Sequence, residues 1–310
     1  MAILHRSRRR WKLALILLLV GAPAYYFAVL YSPRADGGSA YSIDVAAIRS
    51  LADSLPGDKP SELRYEQVMA FEFAQAMVVA GDPWRGTPIP IFSWQLVYPQ
   101  QTVIVDTAMA RSIAKPGFMV TAYDDQAYAR MSAALPKAAL IVITHEHMDH
   151  IGGIAAYPRP RELLQALRLT PEQLAHPEKM APAELQPQLV AGLQPLVYDK
   201  MIAIAPGVVL IRSPGHTPGS QMVYIRRADG REVLLLGDIA WHQRNIDLLR
   251  ERPWFMTAII GENRAQVLPE FVALHQLAQS HPEIHQVPGH DGEVVQKLAA
   301  DGLMTAGFEP

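Results

Sequence analysis

The chain has 310 residues, half of them hydrophobic, with a formal net charge of −2 and no cysteine. That length suffices for one large domain or two small ones with a sizeable core. No basic excess marks a nucleic-acid partner, and the missing cysteines exclude disulfides, thiolate metal ligands, a cysteine nucleophile and a lipoprotein anchor.

Arg6, Arg8, Arg9, Arg10 and Lys12 form a basic cluster, and the 19 residues from Leu13 to Tyr31 carry no charge. As a helix that run is about 28 Å long, close to the hydrocarbon thickness of a bilayer. The cluster predicts a cytoplasmic N-terminus with the bulk of the chain across the membrane. Tyr25, Tyr26 and Tyr31 sit toward the far end, where interfacial aromatics belong. We read residues 1–31 as an uncleaved transmembrane signal anchor, which puts the rest on the periplasmic side of a bacterial inner membrane. The rival reading is secretion after cleavage near Ala22-Pro23-Ala24, and Ser7 to Lys12 loosely resembles a twin-arginine signal.

Residues 32–60 read as a linker with turn signals at Ser32-Pro33, Asp36-Gly37-Gly38 and Pro56-Gly57. Within it, residues 43–55 can form an amphipathic helix or serve as a spacer. The globular domain spans 61–310. Residues 63–80 predict the first strand or strands, 81–88 a loop, 91–98 and 102–105 paired strands, and 124–135 a helix. A short buried strand follows at 139–143. Residues 161–192 form a proline-rich helical insertion, with Thr170-Pro171-Glu172 as a helix start. Strands return at 197–211, broken at Pro206-Gly207, and a hairpin at 221–225 and 232–236 turns around Ala228-Asp229-Gly230. A helix at 263–279, a short strand at 285–287 and a helix at 293–300 complete the chain. Two batches of strands, each followed by helix, predict two packed sheets with helices outside.

The strand at 139–143 delivers Thr144-His145-Glu146-His147-Met148-Asp149-His150-Ile151-Gly152-Gly153. Alternate side chains on a loop leaving a strand can face opposite ways and feed two metal positions. Imidazole and carboxylate donors suit Zn, Mn or Fe. Gly152-Gly153 predicts a tight backbone turn beneath the site. Three further stretches set a ligand-type residue among turn residues after an apolar strand: Ser213 to Gly219 around His216, Leu234 to Asp238, and Val287 to Asp291 around His290.

This ordered set resembles the metallo-β-lactamase superfamily of dinuclear metallohydrolases over residues 61–310. The resemblance implies an α/β fold, the four-layer αββα sandwich, preceded here by the N-terminal transmembrane helix. It implies that His145, His147 and His216 hold one divalent metal, that Asp149, His150 and His290 hold the second, and that Asp238 bridges them. The cofactors would then be two divalent ions, zinc foremost, with Mn or Fe as alternatives. A bridging hydroxide would be the nucleophile, with Asp149 orienting it and accepting a proton. Thr144 and Thr217 are candidates for orienting the rings or for turn and cap roles. Asp106 resembles the family's buried structural aspartate.

The branch is narrowed by departures. The absent cysteine together with Asp238 disfavours β-lactam hydrolysis, and His147 stands where flavodiiron oxidases carry glutamate. The 20 residues after His290 leave no room for the glutathione-binding domain of glyoxalase II, and tRNA-processing members need a basic surface. What remains is similar to the lactonase-like branch, acting on N-acyl homoserine lactones and related esters or thioesters. The alternatives are a phosphodiesterase on the same site and a non-catalytic membrane-tethered metal-binding module. Partners are therefore a small-molecule substrate and the membrane, with no nucleic acid. The lactonases carry a tyrosine where this chain has Trp241. Trp241 then lines an apolar pocket, or His242 supplies the polar contact, or the substrate differs. Trp84 is a candidate lid or a packed surface aromatic, and Trp254 and Phe255 a candidate pocket wall. His5, His176, His275, His281 and His285 are read as ordinary residues.

Overall fold

The computed structural model describes residues 2–31, 40–114 and 120–309, with side chains from residue 9 onward. The turn signals at Ser32-Pro33 and Asp36-Gly37-Gly38, and the side chains of His5, Arg6 and Arg8, lie outside the described residues.

The strands are β1 (Glu62–Ala74), β2 (Gly86–Val97), β3 (Thr102–Val105), β4 (Val120–Tyr123), β5 (Leu140–Val142) and β6 (Leu167–Arg168), then β7 (Met201–Ala205), β8 (Val208–Arg212), β9 (Gln221–Arg226), β10 (Glu232–Leu235), β11 (Ile284–Val287) and β12 (Thr305–Ala306). One sheet runs β12-β1-β2-β3-β5-β6, with β4 against β1; the other runs β11-β10-β9-β8-β7. Successive strand residues face opposite sides. Val103 and Val105 therefore pack between the sheets against Leu210, Val223 and Leu235, while Ile104 faces outward onto Met131, Ile151 and Ile154 of the covering helices. On the other outer face, Val209, Ile211 and Leu234 pack against helices Val45–Ala52 and Arg264–Ser280. Apolar residues on both faces force helices onto both, which gives the αββα sandwich.

Several local expectations are corrected. The predicted loop at 81–88 ends at Gly86, where β2 begins, and β2 runs through Pro88 and Pro90 opposite Glu72 and Ala70. Of β2, β3 covers only Trp94–Val97, so among the described residues those prolines lie on an open edge where no ladder donor is needed. Gly152 and Gly153 do not form a turn but lie inside helix Met148–Ala155. A side chain on Gly153 would meet the Thr107 carbonyl at 2.2 Å, so the glycine lets helix and strand end approach closely. The insertion holds β6 and three short proline-started helices, with Thr170 and Gln173 forming a capping box. Helix Val45–Ala52, in the expected linker, packs on the second sheet through Val45, Ile48 and Ala52, and Arg49 binds Glu232.

One N-terminal helix, Arg9–Leu30, has 22 residues, a mean hydropathy of 2.3 over its most apolar 18, and the length and composition to cross a membrane. Its far end touches the body: the Gly81 amide donates to the Val29 carbonyl and Trp84 Nε1 to Tyr25 Oη.

Candidate metal centre

The donors gather where strand ends leave the two sheets. His145 and His147 follow β5, and Asp149 and His150 occupy the first turn of helix Met148–Ala155. His216 lies in the loop after β8, Asp238 in the short turn Gly237–Ile239 after β10, and His290 after β11. All seven residues predicted from sequence are brought together in two groups, His145, His147, His216 and Asp238, and Asp149, His150, Asp238 and His290. Within each group the ligand atoms lie within 4.8 Å of one another, and Asp238 belongs to both.

Hydrogen bonds from the far side of three rings fix which nitrogen is presented. His150 Nδ1 meets Asp106 Oδ2 at 2.9 Å, His290 Nδ1 donates to the Pro90 carbonyl at 2.9 Å, and His216 Nδ1 meets Glu262 Oε1 at 2.5 Å. Each leaves Nε2 facing inward. Asp106 also accepts from the Thr144 amide and hydroxyl at 2.7 and 2.8 Å, and it does so from a left-handed backbone, φ 58°. Thr217 donates to the buried Glu146 at 2.7 Å, tying the His216 loop to the histidine cluster. Trp241 Nε1 donates to Asp238 Oδ2 at 2.8 Å. Arg252, fully buried, binds Glu262, donates to the Asp238 carbonyl at 3.1 Å, and stacks over Trp241 at 4.7 Å. Glu262 and Arg252 carry no motif signal, because their roles arise from contacts between segments distant in sequence.

The inward atoms fit a cation and little else. His147 Nδ1 stands 3.1 Å from His145 Nε2 and 3.0 Å from His216 Nε2. Nitrogens bound to one tetrahedral zinc lie about 3.3 Å apart, given bonds of roughly 2.0–2.1 Å. His150 Nε2 and Asp238 Oδ1 are buried without hydrogen-bond partners, 3.2 Å from each other. Such buried orphans are costly unless something binds them. Burial and neighbouring imidazoles hold His145 and His147 well below the ordinary histidine range, so their lone pairs are free for a metal. Burial opposes it, but Asp106, Asp149 and Asp238 hold His150 well above that range. Burial likewise opposes the depression of Asp238, which His290, His150 and His145 nevertheless keep ionised.

The centre forms the floor of a cavity of about 450 Å³ reached by His147, Asp149, Asp238 and His290. Its walls are mostly apolar, with Phe71, Phe73, Ile89, Trp241, Ile259 and Ile260, and Glu178 and Lys179 add one charged pair to the lining. Trp241 stacks on Phe73 at 5.9 Å and lies beside His290. His242 does not reach the cavity. It caps helix Gln243–Asp247, taking the Arg244 amide on Nδ1, because the chain turns at Trp241 and sends the next side chain outward. Trp84 is also away from the walls, bonded to Tyr25. Trp254 and Phe255 likewise do not line the cavity; the other end of their helix, Ile259 and Ile260, does. A larger groove of about 610 Å³ beside helix Val45–Ala52 holds no comparable donor group among the described residues, and its Arg49 is paired with Glu232 and Glu283.

The comparisons agree with this geometry. A "Probable metallo-hydrolase" of Mycobacterium tuberculosis is 29% identical over 213 residues, covering 62% of this chain and 66% of its own length, just under two thirds. An N-acyl homoserine lactonase of a Bacillus species is 26% identical over 174 residues, covering 51% of this chain and 67% of that protein. Among solved structures, an N-acyl homoserine lactone hydrolase with N-hexanoyl-L-homoserine at its metal centre superposes with a TM-score of 0.60 at 17% identity, covering 77% of this chain and 96% of that one. A dizinc quorum-quenching lactonase superposes with a TM-score of 0.52 at 16% identity, covering 76% and 89%. The family model for the metallo-beta-lactamase superfamily matches residues 86–293, and with its fold and its His/Asp donor groups in place the chain belongs to that superfamily.

Proposed function

We propose that the chain is a two-metal hydrolase of esters or lactones, N-acyl homoserine lactones foremost, with thioesters as close relatives. Residues 61–310 are its catalytic domain and residues 1–31 a membrane anchor that keeps the domain outside the cytoplasm. The observation that carries this reading is the pair of donor groups sharing Asp238 at the foot of an apolar cavity. His145, His147 and His216 would hold one divalent ion, Asp149, His150 and His290 the other, and Asp238 both; zinc suits this nitrogen- and oxygen-only set. Such a metal pair, when bound, lowers the pKa of water and polarises the scissile carbonyl.

The chain's own residues supply the rest. Asp149 is the most exposed of the carboxylates at the centre, its side chain 13% accessible and open to the cavity. It can take the proton of the attacking water on its carboxylate and return it to the alkoxide that leaves. Trp241 cannot transfer a proton, and its N–H is spent on Asp238, so leaving-group protonation falls to Asp149. The apolar walls take an acyl chain, with each buried methylene worth about 0.8 kcal/mol, or up to roughly fourfold in kcat/KM. Lys179 is the lone cation at the cavity among the described residues, and its ammonium is tied to the Ile260 and Gly261 carbonyls. That leaves little to bind a phosphodiester.

The test is proton release by the zinc-loaded full chain on acyl homoserine lactones of graded length. We expect ring opening that rises with chain length and disappears in Asp149→Ala. No turnover at any length, with phosphodiesters cleaved instead, would reverse the choice of substrate class.

A further inference from the structure

We propose that the cavity mouth sits at the membrane surface and draws its acyl substrate from the bilayer. This rests on the reading of the Arg9–Leu30 helix as an anchor, and it adds an orientation and a source of substrate. The anchor is not joined to the body by a linker alone. The Gly81 amide donates to the Val29 carbonyl at 3.2 Å, and Trp84 Nε1 to Tyr25 Oη at 2.8 Å, two attachments one helical turn apart on the anchor. Val29 is buried in that contact. Helix Trp254–Ile260 also lies against segment Tyr26–Leu30.

Counted from Leu13, the first residue past the charged cluster, the helix runs about 27 Å to Leu30, against roughly 30 Å of hydrocarbon. Val29 and Leu30 therefore fall near the far interface, and they bring the attached rim of the domain to that level. The rim is built for it. Trp84 is 52% exposed, Trp254 55% and Ile259 76%, apolar exposure that is costly in water and suited to the headgroup region. Arg85 and Arg250 are exposed beside them, with the Arg250 guanidinium next to Gly81, as fits anionic headgroups. The same helix that starts at Trp254 ends in Ile259 and Ile260, which line the cavity. The mouth is thus at most one short helix, about 10 Å, from the anchor. A long-chain acyl ester lying in the outer leaflet has a continuous apolar path from lipid to metal centre.

The cysteine-free chain allows single labels. Full chain carrying Trp254→Cys or, as a control on an exposed distant helix, Gln188→Cys is reconstituted in vesicles and tagged with an environment-sensitive fluorophore. The label at 254 should be quenched by brominated lipid and shielded from aqueous iodide, and the label at 188 should behave in the opposite way. In parallel, Trp84→Ser with Trp254→Ser should lower turnover of a vesicle-dissolved long-chain lactone about tenfold, roughly the interfacial worth of two indoles, and leave a short soluble lactone unchanged. Chain that fails to float with vesicles would remove the anchor and this proposal together. Chain that floats while the 254 label meets iodide as freely as the 188 label overturns the orientation alone. Shielding from iodide without quenching by lipid would assign the rim to a protein partner and likewise overturn it, as would equal loss on both substrates.

Discussion

Asp238 is held from two sides by residues that never meet substrate as acids or bases. Trp241 donates to Oδ2, Arg252 binds its backbone carbonyl, and Arg252 in turn stacks on Trp241 and pairs with Glu262, which orients His216. The indole N–H is thus an orienting group for the shared ligand. Trp241→Phe keeps the stack on Phe73 and deletes the N–H. We expect metal affinity to fall about 10- to 100-fold, the usual cost of losing such a support, with near-UV circular dichroism retained; chelator competition measures it. Unchanged affinity would make Trp241 a wall residue only. The seven donors were legible in the sequence because four crowd into one stretch after an apolar strand and the other three each follow an apolar strand among turn residues. Glu262 and Arg252 were not, because a buried ion pair is written in the contact between two segments and in no local pattern. His242, four residues past Asp238, shows the converse: proximity in sequence did not bring it to the cavity.

Among the elements, helix Arg264–Ser280 carries an ionisable group where its pattern calls for core. Glu270 is 1% exposed, accepts from the Gly215 amide at 3.2 Å, and its other oxygen has no partner. Burial pushes its carboxyl up to about 8. The folded protein therefore keeps a proton that the unfolded chain releases near 4.5. Between those values the unfolded state binds fewer protons, so this residue's contribution to stability is full below pH 4.5 and is lost as pH rises toward 8. Glu270→Gln keeps an acceptor for Gly215 and removes the ionisation. It should stabilise the protein by on the order of 2–4 kcal/mol at pH 8 and change little at pH 4.5, as read from denaturant melts at the two values. A gain independent of pH would contradict this. The helix itself was predicted from sequence, as were most strands of the second sheet. Helix Trp254–Ile260 was not, since six apolar and aromatic residues around a single threonine, after a proline, have no polar face to mark a period. The helix starting at Met148 was hidden by its own glycines, which packing against Thr107 requires and helix propensity disfavours.

At the scale of the molecule, the two-batch order of strands foretold the sandwich, but not that β12 returns to the first sheet beside β1. A two-residue strand leaves too short a signal to read. Nor could it foretell that the metal centre spans both sheets. His145 to His150 leave the first sheet, while His216, Asp238 and His290 leave the second. Cations bound by these residues would therefore cross-link the two halves of the sandwich at one rim, and their binding free energy would become stability of the whole fold. A ligand present at about 1,000 times its Kd adds roughly 4 kcal/mol, and for a body of this size each kcal/mol moves Tm by about 2–4 °C. Stripping the metals should accordingly lower Tm by on the order of 10 °C, restored by stoichiometric zinc. Asp238→Asn should lose most of that gain, because it weakens both donor groups at once. His290→Ala should lose only the part that belongs to the second group. Scanning calorimetry on the three proteins, each with and without chelator, separates these outcomes. Equal loss of the zinc-dependent gain in both variants would mean that the two positions fill as one unit. Equal Tm with and without metal in the parent chain would mean that the sandwich is held at this rim by Asp106, Glu146 and Glu262 alone.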